Sequence, residues 1–296
     1  LDPVSEILPL IGSKEGIMHI SMGFVNPGDE VLVPDPGYPT YSSVTSLVGG
    51  IIRTYALDEK SGWQPDLDAL EKEDLRRVKL MWTNYPNMPT GAPGSPGLFS
   101  RLVTFAREHN ILLVNDNPYS FILNNEYHSL LSVKGAMDTA LELNSLSKSH
   151  NMAGWRIGMV AGCSEYIKTI LKVKSNMDSG MFLPMQLAAA EALQNPESWY
   201  DTVNLTYRER RVKAEAIMDL LGCRFNAEQT GLFLWGRLPD GSPGAEPFVE
   251  NILQKAHVFL TPGFIFGSRG EGYIRISLCA TGERLEEARQ RIEKLK

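Results

Sequence analysis

The feature that most constrains this chain is an alternation. Short apolar runs at 30–33, 51–56, 78–82, 111–114 and 140–143 are separated by stretches with helical patterning at 41–48, 66–75 and 98–109. The runs are too short to be helices, and Pro, Gly, Asn or Asp residues bound them. Two parallel strands cannot be joined by a tight turn and need a crossover, usually helical. The alternation therefore predicts an α/β fold, a mostly parallel sheet with helices on both faces. Such sheets bind ligands at the carboxyl ends of their strands. Asn87, Asp116 and Lys148 each follow a predicted strand end, so one cleft can collect all three.

The first 25 residues contain an apolar stretch and then a predicted helix, with Ser13 near its N-cap. A further strand is expected at 157–161, with helices at 165–171, 185–193 and 200–221. Beyond Cys223 the pattern changes to strand 231–238, helix 248–256, strands 258–260 and 272–278, and a charged helix 283–296. We expect two domains, a large one over 1–205 and a small C-terminal α/β one over 206–296, dividing within the long helix. A chain of 296 residues is long enough for both.

Charge and cysteine usage narrow the function. A net charge of −6 gives no basic excess for neutralising phosphates, which argues against nucleic-acid binding. No apolar run approaches the roughly 18 residues of a membrane span. Three widely spaced cysteines suggest neither a disulfide framework nor a zinc cluster, and a cytoplasmic setting is the simplest inference. The five histidines show no metal-ligand spacing, so no metal is expected, and Arg53 and Arg237 read as solvated strand charges.

Several residues could carry chemistry. Lys148 lies among small hydroxyl residues, Ser145 precedes it by three positions and Arg156 follows by eight, inside Gly-x-Arg-x-Gly. A lysine that condenses with a carbonyl is a covalent catalyst, and it needs a site that holds its partner. Ser145 and Arg156 could meet one phosphate, joined by Ser13 and Lys14 at a helix start. Asp116 could face a ring nitrogen and keep it protonated. Arg275 sits inside an apolar strand, where a charge is costly without a partner, and arginine suits a carboxylate. A plainer reading makes Lys148 a surface lysine, Asp116-Asn117-Pro118 a turn, Ser13 a helix cap and Tyr38 a strand-end aromatic.

Three motifs in order favour the first reading. Asn87-x-Pro-Thr-Gly, Asp116-x-x-Tyr119 and Ser145-Leu-Ser-Lys148 with Gly-Trp-Arg156-Ile-Gly resemble those of class I/II aminotransferases, the fold-type I pyridoxal-phosphate enzymes. The resemblance implies an aspartate-aminotransferase-like fold and pyridoxal 5'-phosphate as cofactor. It also implies transfer of an amino group from an amino acid to a 2-oxo acid, with Lys148 as Schiff-base lysine and general base. Asp116 would pair with the ring nitrogen, and Asn87 and Tyr119 with the phenolic oxygen. Tyr38, in Pro-Gly-Tyr-Pro-Thr-Tyr, would stack on the ring. Ser13, Lys14, Ser145 and Arg156 would hold the phosphate, and Arg275, with Asn87, the substrate carboxylate. A homodimer is implied as well. Met88 stands where relatives often carry a small or polar residue, and the family normally has a further N-terminal stretch. A β-lyase on the same fold, or a non-catalytic sensor module, is the alternative; no helix-turn-helix or basic linker supports the sensor.

Overall fold

The computed structural model describes residues 1–295. In chain order its elements are β1 (Ile7–Leu10), α1 (Ser13–Phe24), β2 (Glu30–Asp35), α2 (Pro39–Leu47), β3 (Ile51–Ala56), α3 (Leu67–Leu70), β4 (Val78–Thr83), α4 (Pro96–Glu108), β5 (Leu112–Asp116) and β6 (Ala140–Ser145). There follow α5 (Leu146–Ser149), β7 (Gly158–Gly162), α6 (Ser164–Lys174), α7 (Leu183–Ala192) and α8 (Ser198–Leu220). The chain ends with β8 (Arg224–Phe225), β9 (Phe233–Arg237), α9 (Ala245–Ala256), β10 (Thr261–Pro262), β11 (Tyr273–Ser277) and α10 (Gly282–Glu293).

A seven-stranded sheet runs β1-β7-β6-β5-β4-β2-β3. The pairs from β6 through β5, β4 and β2 to β3 are parallel. Its central strands are buried on both faces, which explains why they read as continuous apolar runs rather than alternating ones. One face packs on α1, α2 and α6 through Ile17, Ile20, Val44, Ile167 and Ile170. The other packs on α4, which offers Leu98, Leu102, Phe105 and Ala106 at helical spacing. Ser95 caps α4, its hydroxyl accepting from Leu98 N at 3.2 Å, and Pro96 stands at the first turn. Each of these buried Leu, Ile, Val and Phe side chains contributes about 1.5–3 kcal/mol by leaving water. Truncating Leu102, which is fully buried, would cost about 2–5 kcal/mol.

Four antiparallel strands, β10-β11-β9-β8, make the second sheet, packed with α8, α9 and α10 around a core of its own. Helix α8 continues unbroken through positions 205 and 206.

The structure departs from expectation in four places. The 66–75 helix shrinks to α3, because beyond Leu70 the backbone tightens to bonds three residues back, Lys72 N donating to Ala69 O at 3.2 Å and Glu73 N to Leu70 O at 3.0 Å. The 157–161 strand forms as β7, but antiparallel to β6. Only α5 and a 3-10 turn separate those strands, and Arg156 is left-handed at φ 53, so the chain reverses without a crossover. Strand β1 lies within the apolar stretch that precedes the first helix, and it adds antiparallel to β7. The expected strand at 258–260 is displaced to β10, because His257 ends α9 in the left-handed region at φ 55.

Two expected surface charges are not free. Arg53 pairs with Glu30 at 2.9 Å and with Glu73. Arg237 lies 3.6 Å from Glu59, half-exposed. His19 is buried beside Glu15 and Asp178, a grouping whose cation is Lys174, 3.2 Å from Glu15 and 2.6 Å from Asp178.

Candidate active site

The carboxyl ends of β2, β4, β5 and β6 open into a cavity of about 610 Å³. Its lining includes Ser13, Lys14, Tyr38, Asp116, Tyr119, Ser145, Lys148, Arg156 and Arg275. Nine of the ten residues singled out from the sequence therefore meet in one place, although they span 263 positions from Ser13 to Arg275 (275 less 13, counting both ends).

Asp116 is the last residue of β5 and is 4% exposed. Burial pushes its carboxyl up to about 6, and a hydrogen bond from Tyr41 opposes that rise. Tyr41 Oη donates to Oδ2 at 3.0 Å, while Oδ1 is buried without a partner among the described residues. A buried acceptor left open is rare and calls for something to meet it. Tyr41 is fixed in turn by stacking on Trp82, ring centroids 5.0 Å apart. The loop beyond Asp116 is tied down by Asn117, whose amide donates to the buried Glu142 at 3.0 Å and accepts from Ser120 at 2.6 Å. That loop sets Tyr119, whose ring meets Phe233 edge-on at 6.0 Å. Burial, then the Asp116 charge, raises the Tyr119 hydroxyl above its ordinary pKa.

Lys148 lies in the single turn α5, which follows β6 directly and is capped by Ser145. The Ser145 hydroxyl accepts from Ser147 N at 3.2 Å and donates to Ile157 O at 3.3 Å. Opposite, α1 starts at Ser13 behind Gly12, which holds φ 79. A Cβ on Gly12 would fall 2.2 Å from Arg156 Nη2, and one on Gly158 would fall 2.8 Å from Ser13 N. These two glycines let the start of α1, the Arg156 guanidinium and the β7 backbone close around a small cup. Helix N-terminal amides with an arginine suit a phosphate.

Arg275, in the middle of β11, enters from the second sheet. Its guanidinium carbon lies 3.9 Å from the Phe233 ring centroid and 4.5 Å from that of Phe266. Among the described residues its one polar contact is Nη1 to Met88 Sδ at 3.3 Å, and Nε is buried without a partner. Burial lowers it to about 10. The cavity lining thus carries four cationic side chains, Lys14, Lys148, Arg156 and Arg275, against the single carboxylate Asp116. Such a field attracts an anionic ligand.

Asn87 is the exception. Its amide is engaged inside its own loop, Oδ1 accepting from Thr90 Oγ1 at 2.7 Å and Nδ2 using one of its two hydrogens on Asn84 O at 3.2 Å. It does not line the cavity; Met88 and Asn84 do. Asn84 clamps the loop, donating to Asp116 O at 2.5 Å and accepting from Met88 N at 2.7 Å. The sequence reading also missed Tyr41 and Ser147; the Ser147 hydroxyl is buried at the cavity without a partner among the described residues. Tyr41 had a signal, since it stands one helical turn beyond Tyr38.

The family profile described as aminotransferase class I and II matches residues 1–292. The chain belongs to this family. Among its relatives, the LL-diaminopimelate aminotransferase of Aquifex aeolicus is 43% identical over 298 residues, covering 100% of this chain and 77% of that protein. The one from Desulforudis audaxviator is 45% identical over 294 residues, 99% of this chain and 75% of its own. Among solved structures, apo-BacF of Bacillus subtilis superposes with a TM-score of 0.95 at 33% identity, over 100% of this chain and 76% of that one. The probable N-succinyldiaminopimelate aminotransferase of Thermus thermophilus gives 0.92 at 33%, over 100% and 79%. The aminotransferase fold and activity inferred from the three motifs accord with these matches. Among the described residues no helix is long and apolar enough to cross a membrane.

Proposed function

We propose that this aminotransferase uses pyridoxal phosphate held by Asp116, the phosphate cup and Lys148, and that its amino donor is LL-diaminopimelate or a close dicarboxylic relative. One observation carries the cofactor assignment: the unpartnered, buried Oδ1 of Asp116 at the floor of a cavity that also holds Lys148. When bound, the cofactor supplies a carbonyl that condenses with amines and a protonated ring that withdraws electrons from the attached carbon.

The chain's own residues do the rest. Asp116 Oδ1 would accept from the ring N–H, and the Tyr41 hydroxyl holds the carboxylate by its other oxygen. Tyr119 would donate to the phenolic oxygen, and Tyr38 would flank the ring. Ser13 and Lys14 at the start of α1, with Ser145, Ser147 and Arg156, hold the phosphate. Asn87 Nδ2 gives one hydrogen to Asn84 O, and its second would be the one to serve the phenolic oxygen. Arg275 takes the substrate α-carboxylate; its aromatic walls and the Met88 sulfur leave the guanidinium without a counter-ion until a carboxylate arrives. Lys148 Nζ, as the free amine, removes the proton from the substrate α-carbon and carries it within the site. The substrate class rests on the names borne by relatives 40–45% identical over this chain.

The large and small lobes divide at about 205, and two copies associate through α7. That helix is almost wholly apolar, yet Leu183 and Leu187 are 61% exposed and neighbouring Phe182 67%. A transamination assay with pyridoxal phosphate, LL-diaminopimelate, aspartate and several 2-oxo acids tests the reading. Turnover requiring Lys148 and fastest with LL-diaminopimelate supports it; turnover indifferent to added cofactor would sink it.

A further inference from the structure

The second sheet must present Arg275 over a cavity built on the first, so something has to fix one to the other. Asp35, the last residue of β2, does not line the cavity, yet it is 9% exposed and its carboxylate reaches across. Oδ2 accepts from Ser268 Oγ at 2.7 Å and Oδ1 from Arg269 N at 3.0 Å. Two residues on, Gly37 N donates to Phe266 O at 2.7 Å. The approach is close enough that Gly267, at φ 132, could carry no side chain, since its Cβ would fall 2.1 Å from Asp35 Oδ1. Phe266, held by this docking, is one of the two rings against the Arg275 guanidinium. The segment Gly263–Gly270 thus hangs its aromatic wall from the end of β2, next to Tyr38.

We propose that Asp35 is a positioning residue for substrate recognition: it tethers the Gly263–Gly270 segment so that Phe266 aligns Arg275 for the carboxylate of amino acid and 2-oxo acid. The proposal rests on the reading of Arg275 as the carboxylate-binding residue. A loosened tether lowers the fraction of molecules with Arg275 aligned, and apparent affinity falls by that fraction. The carboxylate of Asp35 touches neither the cavity nor the reacting atoms, so the chemical step is left intact.

The test uses the cofactor-loaded enzyme. Asp35→Ala loses both charge-assisted bonds; it should raise KM for both substrates, and the Kd of succinate as a non-reacting probe, about tenfold, with kcat within about twofold. Ser268→Ala loses one bond and should give about threefold. Asp35→Asn can still accept from Arg269 N while donating to Ser268 Oγ, and should restore most of the affinity. Cofactor affinity should not change in any of them. Arg275→Lys is the control for the underlying reading and should raise KM whatever Asp35 does. Unchanged KM in Asp35→Ala and Ser268→Ala, with KM raised in Arg275→Lys, overturns the tether alone. So does loss of cofactor affinity in step with KM. Unchanged KM in Arg275→Lys overturns the carboxylate reading, and the tether falls with it.

Discussion

Replacing Asp116 by asparagine should make the cofactor-free protein more stable and the enzyme useless. The native carboxyl is raised from 3.8 to about 6 by burial. That difference of about 2 pH units, at 1.36 kcal/mol each, is a penalty of about 3 kcal/mol for keeping the ionised group folded. The folded state holds the proton more tightly than the unfolded one, so stability is lost as pH rises from about 4 to about 6 and the penalty is flat above. Asparagine cannot ionise, and its carbonyl still accepts the Tyr41 hydroxyl. Urea unfolding of the cofactor-free forms should therefore find Asp116→Asn more stable by up to about 3 kcal/mol at pH 7.5, and by about half that at pH 5. The same variant should bind pyridoxal phosphate weakly, because a neutral amide gives no charge to hold the ring nitrogen protonated. Equal destabilisation at both pH values would refute the reasoning, since Asp116 would then be a structural residue well matched to its surroundings.

Two other perturbations follow from the same geometry. Tyr41→Phe removes the one donor to Asp116, so its pKa should rise above about 6. Cofactor affinity should drop about tenfold, and its loss at acid pH should set in at higher pH, measured by cofactor titration across pH. Gly12→Ala forces a side chain into φ 79 and onto the Arg156 guanidinium, which should cost about 1–2 kcal/mol of stability in urea and weaken inorganic phosphate as an inhibitor of cofactor loading.

The sequence carried the large sheet because parallel strands buried on both faces are apolar throughout and cannot be mistaken for amphipathic helix. Residues bound to strand ends were legible for the same reason: Asp116, Lys148 and Arg275 lie on or just beyond elements whose position follows from pattern. The direction of β7 was not legible, because it depends on Arg156 adopting a left-handed conformation that nothing in its side chain demands. Asn87 and Met88 show a second limit. Both lie in one loop, and which of the two faces the cavity is decided by Asn84 and Thr90 capturing the loop's polar groups, a matter of local hydrogen bonding rather than of residue type. Tyr41 was hidden behind Tyr38, its neighbour one turn away, since only the packing against Trp82 aims its hydroxyl at Asp116.

Lys148 is assigned as the lysine that condenses with the cofactor, and a rival sits in the same cavity: Lys14 lies 5.7 Å from the centroid of Tyr38. Borohydride reduction of the cofactor-loaded protein, followed by proteolysis and peptide mass mapping, distinguishes them. A pyridoxyl-phosphate mass fixed on the peptide carrying Lys148, and absent from Lys148→Ala, is the predicted result. The same mass on Lys14, or on neither residue, would contradict it.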